Sequence, residues 1–277
     1  MPELPEVETT LRGLLPHTLQ RTIMNVSIRN PKLRWPIPSN LAELTRHQVI
    51  HALSRRGKYL LMHLDNGTVI IHLGMSGSLR ILDSETPAGV HDHVDIVLDN
   101  QQCIRLRDPR RFGAVLWAEH DALAHPLLAS LGMEPLSDGF NGDLLYRKSR
   151  GRSSSVKAFI MDSHMVVGVG NIYANEALFH AGIHPALAAG KISRPRYARL
   201  AQAIRDTLSK AIIAGGSSLR DFVGSDGAAG YFQQQYAVYG RTGLDCRICG
   251  QPIQQLRQNQ RSTFYCPHCQ KNNSIFY

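Results

Sequence analysis

The sequence contains no apolar run approaching eighteen residues, the length that reads as a membrane-spanning helix. Its first thirty residues carry Glu3, Glu6, Glu8 and Arg12 and lack the apolar stretch of a secretory signal. Cysteine is scarce, with five among 277 residues, and four of the five are bunched near the C-terminal end. That usage excludes a disulfide-stapled scaffold. Internal repeats and low-complexity tracts are absent as well, which excludes solenoids and fibrous folds. Acid is in deficit, 22 Asp and Glu against 31 Lys and Arg, for a net charge of +9. The expectation is a soluble cytoplasmic protein, without membrane contact, that meets a polyanion, because each cation set against a phosphate releases counterions.

The positive charge is clustered. Arg105, Arg107, Arg110 and Arg111 fall within seven residues, opposed only by Asp108. Arg147, Lys148, Arg150, Arg152 and Lys157 form a second run with no acid. Either run alone reads as a solvated face; two of them beside a zinc-type motif point to nucleic acid.

Hydrophobic residues make up 43% of the chain, enough for a core in one large domain or two ordinary ones. Residues 5–15 read as a helix, with Val7, Leu11, Leu14 and Leu15 on one face and Pro16 expected to end it. Strand patterns follow at 59–64 and 68–73, around the hairpin signal Asp65-Asn66-Gly67, and at 79–82, 94–98, 103–107 and 114–117. Cys103 lies in such a stretch and reads as a core thiol. Residues 20–120 therefore predict an antiparallel sandwich or barrel. Helical periods follow at 121–131, 143–149, 154–162, 171–181 and 194–214. The last places Tyr197, Leu200, Ile204, Leu208 and Ile212 on one face. A linker is expected at 132–142, and the glycine-rich residues 215–230 read as a loop.

Cys246-x-x-Cys249 and Cys266-x-x-Cys269, sixteen residues apart, fit a four-thiolate tetrahedral site for one structural zinc. With every position filled by sulfur the metal has no open site for catalysis. Residues 252–257 and 262–265 read as two strands joined near Asn259-Gln260, which sets Arg261 by the hairpin tip. A redox dithiol pair is the alternative. At the other end, Met1-Pro2 is a dipeptide from which the initiator methionine is normally removed. The exposed proline amine would titrate near ~8 and could attack an electrophilic carbon, with Glu3 beside it to move a proton. The same residues equally suit an ordinary helix start.

The opening Pro2-Glu3-Leu4-Pro5-Glu6-Val7-Glu8-Thr9 resembles the N-terminal signature of the formamidopyrimidine-DNA glycosylase and endonuclease VIII family. Arg34-Trp35-Pro36, Lys58-Tyr59-Leu60-Leu61, His72-Leu73-Gly74-Met75-Ser76-Gly77, Asp108-Pro109-Arg110-Arg111-Phe112-Gly113 and Val169-Gly170-Asn171-Ile172-Tyr173 resemble it too, as does the four-cysteine finger. The match runs in order from Pro2 to Cys269. It implies an α+β fold: an N-terminal antiparallel β-sandwich domain over 2–131, a linker at 132–142, a helical domain with a helix–two-turn–helix over 143–236, a zinc finger over 237–271 and a tail at 272–277. DNA would lie in a positive cleft between the two domains of a bacterial, nucleoid-associated monomer.

The resemblance implies a bifunctional glycosylase and lyase of base excision repair that flips an oxidised purine, 8-oxoguanine or a formamidopyrimidine, out of double-stranded DNA. Pro2 would attack the sugar C1′, Glu3 would protonate the ring oxygen, and Lys58 and Arg261 would serve the β- and δ-eliminations. His91, Arg152, Lys157 and Asn171 would contact DNA, and Glu6 and Glu176 would lie near the pocket. Met75 and Phe112 would fill the gap left by the flipped base, and Arg110 would read the orphaned partner, cytosine. Without the resemblance, Met75 and Phe112 read as core, Lys58 as a solvated strand lysine and Asn171 as a helix cap. The trio Met75, Arg110 and Phe112, with the glycine-containing segment 217–231, favours the oxidised-purine branch over the oxidised-pyrimidine branch typified by endonuclease VIII. A non-catalytic zinc-finger DNA-binding protein, or an RNA-binding one, would explain the charge and the cysteines but would leave Pro2 and Glu3 without a task.

Overall fold

A computed structural model describes residues 1–216 and 236–271. The segment 217–231 and the tail 272–277 singled out above lie outside the described residues. The chain divides into two compact units, described separately. Among the described residues, the first comprises 1–130 and 212–216, and the second comprises 131–211 and 236–271.

The first unit opens with α1 (Leu4–Thr18), which begins at Glu3 through a capping box and carries a proline in its first turn, where a missing N–H costs nothing. Pro16 does not end this helix; α1 runs on to Thr18. So near the end Pro16 deprives only one carbonyl, and the turn is closed by Thr18 Oγ1 donating to the Leu14 carbonyl (2.9 Å) and Leu19 N–H to that of Leu15 (3.1 Å). Next come β1 (Ile23–Ile28), the short α2 (Leu41–Thr45), β2 (Ala52–Arg56), β3 (Tyr59–Leu64), β4 (Gly67–His72), β5 (Ser78–Asp83), β6 (Asp92–Leu98), β7 (Gln102–Arg107) and β8 (Ala114–Ala118).

These strands make two antiparallel four-stranded sheets, ordered β1-β6-β7-β5 and β2-β3-β4-β8. One apolar core takes Val26, Ile96, Leu106 and Leu79 from the first sheet, Leu53, Met62, Ile71 and Val115 from the second, and Val7, Leu11 and Leu14 from α1. Of the sandwich or barrel that the strand patterns predict, this is the antiparallel sandwich, with α1 packed on its core. Cys103 is fully buried, and that burial pushes its thiol up. The helix expected over 121–131 is instead a 3₁₀ turn (Ala122–Ala124) and one turn of α3 (Pro126–Ala129). Pro126 cannot donate, and the Asp121 and His125 side chains accept from Leu123 and Leu127 N–H, so each starts its own turn.

The second unit holds α4 (Gly142–Ser149), α5 (Val156–Met161), α6 (Asn171–His180), most of α7 (Arg194–Ile213), and the hairpin β9 (Gln254–Gln258) and β10 (Arg261–Tyr265). Along α7, Tyr197, Leu200, Ile204 and Leu208 are buried, the face its period predicts. A second small core forms where Phe179 meets Val238, Ile253, Phe264, Cys246 and Cys266. No helix of the described residues is long and apolar enough to cross a membrane.

Candidate active site

Pro2 and Glu3 are buried at the start of α1. The Glu3 carboxylate accepts from Glu6 N–H, and the fully buried Glu6 carboxylate accepts from Glu3 N–H at 2.8 Å. Each acid thus holds the backbone of the other, and Glu6 takes a structural part at the helix start. One turn on, Glu8 meets the Arg55 guanidinium at 2.9 Å, and Arg55 also donates to the Gly57 carbonyl at 3.1 Å. Burial opposes ionisation of Glu8, but Arg55 and Arg12 outweigh it and hold the carboxyl below its usual range. Helix α1 is therefore latched to the turn that carries Lys58.

Lys58 is not on a strand. Arg56 pairs directly with Tyr59, so Gly57 and Lys58 form a two-residue β2–β3 turn, which Gly57 permits with φ +58°. Opposite, Tyr59 pairs with His72, their rings 4.7 Å apart. Burial, and then the charges of Lys58 and Arg34, push the His72 imidazole down to about 4. His72 is therefore neutral at neutral pH, and its Nδ1 accepts from Gly74 N–H at 3.0 Å. That bond starts the loop that bears Met75.

Met75 and Phe112 are 37% and 42% exposed, so the core reading of these side chains is wrong. Their loops are locked together from beneath. The fully buried Asp108 accepts from the Ser76 hydroxyl and from Gly113 N–H, both at 2.7 Å. Ser76 Oγ accepts from Arg110 N–H at 3.2 Å. Gly74, at φ +65°, lies so close to the Phe112 backbone that an added Cβ would come within 2.3 Å of it. Above this base the Arg110 guanidinium lies 4.9 Å from the Phe112 ring centroid. The half-buried His91 joins the cluster, its carbonyl accepting from Asp108 N–H at 3.0 Å. Sequence reasoning gave no role to Asp108, Ser76, His72 or Arg55. An aspartate before Asp-Pro-type turns and a serine between two glycines were the available signals.

In the second unit the expected residues gather where α6 meets the hairpin. Asn171 Nδ2 and Lys157 Nζ both donate to the Ser262 carbonyl at 3.1 Å, and Lys157 also donates to Thr263 Oγ1 at 2.7 Å. Asn175 Oδ1 accepts from Phe264 N–H at 2.9 Å. Lys157 is buried, so it is corrected from a surface DNA contact to a residue that docks the hairpin. Glu176 is also buried, and its carboxylate accepts from Ala237, Val238 and Tyr239 N–H at 2.7–3.0 Å, which ties down the chain leading into the finger. Arg261 stands exposed beside the turn, opposite Gln258; Asn259 and Gln260 make that turn with φ +47° and +61°. Arg152 is exposed, donates to the Lys148 carbonyl at 3.0 Å and sits 5.7 Å from the Phe159 ring.

Cys246, Cys249, Cys266 and Cys269 bring their Sγ atoms within 4.8 Å of one another. Tetrahedral zinc with sulfur at ~2.3 Å needs neighbours about 3.8 Å apart, so the four thiols fit a single zinc ion. Burial opposes ionisation of Cys246, but N–H groups of Ile248 and Cys249 outweigh it and bring the thiol down to about 7.

Three family models match the chain. They are the formamidopyrimidine-DNA glycosylase N-terminal domain over residues 1–115, the H2TH domain of the same enzymes over 131–223, and the zinc finger found in FPG and IleRS over 243–272. The formamidopyrimidine-DNA glycosylase of Marinobacter nauticus is 58% identical, with 98% of this chain and 100% of that protein covered. The structure resembles that of the MutM (Fpg) protein of Thermus thermophilus with a TM-score of 0.88, at 37% identity over 97% and 98% of the two chains. It also resembles the Lactococcus lactis Fpg in complex with DNA containing an abasic site, with a TM-score of 0.90 at 32% identity over 98% and 100%.

Proposed function

The chain belongs to the formamidopyrimidine-DNA glycosylase family and is a DNA glycosylase of oxidised-base repair, and from that premise we infer the part each residue of the site plays. Once Met1 is removed, the unprotonated Pro2 amine attacks C1′ as the bond from C1′ to the damaged base breaks, and the amine's N–H proton passes to the departing base. Glu3 donates a proton to the sugar ring oxygen, the ring opens, and C1′ is left as an iminium on Pro2. Loss of a proton from C2′ then expels the 3′ phosphate, and a second elimination expels the 5′ phosphate; Lys58 and Arg261 serve these steps.

The observation that carries this reading is the Glu8–Arg55–Gly57 latch. It joins the helix that starts at Pro2 and Glu3 to the turn of Lys58, so nucleophile, acid and lysine share one rigid support. Met75 and Phe112 serve as wedges for the vacated stack, a reading supported by their exposure on loops held by the buried Asp108. Arg110 beside them reads the partner base; its paired donors match the adjacent O2 and N3 acceptors on the exposed pairing edge of cytosine, where adenine presents one acceptor beside an amino donor. Asn171, at the N-terminus of the ten-residue α6, and Arg261 bind phosphate, aided by the helix dipole. His91 and Arg152 add further backbone contacts. The zinc is structural and shapes the hairpin. The substrate is an oxidised purine, acted on by a monomer at the nucleoid. The functional divisions are 2–131 for catalysis, 143–236 for DNA binding and 237–271 for the finger, with 132–142 as linker.

The test is covalent trapping. Processed protein, a duplex carrying 8-oxoguanine and a hydride reductant should give a complex whose DNA is attached to residue 2. Protein with Met1 retained or with an N-terminal tag should bind the lesion but neither excise nor trap, because its Pro2 nitrogen is part of an amide. Trapping through Lys58, or excision at an unchanged rate by tagged protein, would overturn the assignment.

A further inference from the structure

One cavity of the second unit lies away from the residues assigned to DNA. It holds about 760 Å³ between the first turns of α7, the end of α6 and the cysteine knuckles. The hairpin sets its distance from the DNA-gripping tip: the knuckles stand at the base of five-residue strands, ~17 Å from Arg261 at a normal strand rise.

Its chemistry is one-sided. Arg196 and Arg199, three apart and so on one face of α7, line it together with Lys271. No aspartate or glutamate does. No ion pair within 4 Å engages any of the three cations among the described residues, and Arg196 makes only a long 3.5 Å hydrogen bond to the Gly182 carbonyl. Arg196 is half-buried, and burial together with the charge of Arg199 lowers its pKa. Two guanidinium groups are therefore held close together where water is reduced, an arrangement that a carboxylate-bearing ligand relieves. The imidazoles of His180 and His268 and the sulfurs of Cys249 and Cys269 also line the cavity, and its apolar side chains are Phe179, Ala181 and Ile248. Phe179, 4% exposed, lines it, and so does Ile248, a large aliphatic side chain left 71% exposed. A nucleic-acid backbone would use the cations but not the isoleucine; an acidic peptide carrying one large apolar side chain would use both.

We propose that this groove docks an acidic peptide segment of a partner protein, with carboxylates on Arg196, Arg199 and Lys271 and an aromatic or aliphatic side chain against Phe179 and Ile248. The surface is independent of the excision chemistry, so it would recruit the enzyme without altering its active site.

The competing explanation is internal. A zinc tetrathiolate is a dianion, and the same cations could serve only to balance it. Both readings are tested with the zinc-loaded full chain and a fluorescein-labelled eight-residue peptide holding five aspartates around a central phenylalanine, followed by anisotropy. The double variant R196Q/R199Q should lose about tenfold or more in affinity. A peptide with alanine for its phenylalanine should bind wild type several-fold more weakly. Zinc content and nicking at an abasic site should be unchanged in the double variant. Absence of peptide binding to wild type would overturn the proposal, as would equal affinity in R196Q/R199Q. Loss of zinc from the double variant would assign the arginines to the finger. A fall in affinity for undamaged duplex without any peptide binding would make the groove a DNA surface. Either result refutes the docking site.

Discussion

Replacing Arg55 by methionine tests the latch between α1 and the Lys58 turn. Methionine keeps the unbranched length of the side chain and removes its charge and donors. The Glu8–Arg55 pair is 2.9 Å long with side chains 19% and 11% exposed, so it is screened far less than a surface pair. A charge-assisted hydrogen bond of this kind contributes about 1.5–3 kcal/mol. Glu8 keeps Arg12, itself 59% exposed, which offsets little. Adding about 0.5–1.5 kcal/mol for the lost bond to the Gly57 carbonyl, the expected cost is about 2–4 kcal/mol, read as a lower urea midpoint at unchanged slope. The pH dependence has a definite sign. The folded-state pKa of Glu8 is depressed, so its contribution is present above the ordinary carboxyl range and is lost as pH falls through the folded value. The gap between wild type and R55M should therefore be full at pH 7 and narrow on acidification below about pH 4 to the part contributed by the Gly57 carbonyl bond. Function should suffer more selectively. A lysine displaced by ~1 Å can cost up to ~100-fold, so strand cleavage at a preformed abasic site should fall by about tenfold or more while lesion binding holds. If R55M loses the stability but cleaves at the wild-type rate, the latch is only a fold contact and Lys58 is positioned by other means.

Arg110→Ala should flatten discrimination between cytosine and adenine opposite the lesion by roughly 1–3 kcal/mol, measured as the ratio of excision rates on the two duplexes; an unchanged ratio would make Arg110 a phosphate contact. Arg261→Ala should weaken binding to all sequences alike and reduce the salt slope of log affinity by about one; a sequence-selective loss would contradict this. Cys249→Ser should lower bound zinc below one per chain by metal analysis and weaken DNA binding, with the sandwich still folded by near-ultraviolet circular dichroism; a full zinc complement in the variant would remove Cys249 from the ligand set.

The sandwich was legible because its short apolar runs are bounded by turn signals: β3 falls on the expected residues, and Asp65-Asn66-Gly67 marks the turn into β4. The finger was legible from cysteine spacing alone. The failures have local causes. Pro16 was expected to stop α1, but a proline near a helix end deprives only one carbonyl. Lys58 was expected on a strand, because only the register of Arg56 against Tyr59 shows that it occupies a turn. Lys157 looked like one more cation in a basic run; its burial depends on a carbonyl and a hydroxyl 105 and 106 residues away, a separation that no local pattern encodes. Exposure of Met75 and Phe112 was likewise invisible, since it follows from Asp108 drawing two distant loops together.

The buried carboxylate of Glu176 has a consequence for how the second unit gains and loses its structure. Its three backbone donors come from residues 237–239, at the entrance to the finger. If the finger melts, those donors leave, and a buried polar group of α6 loses the hydrogen bonds that compensate its burial. The finger therefore does not open as an independent module: α6 must loosen with it, and the two behave as one cooperative unit in hydrogen exchange. Through that coupling the free zinc concentration acts as a thermodynamic control on α6 itself, setting the protection of amides in a helix that contributes no ligand to the metal.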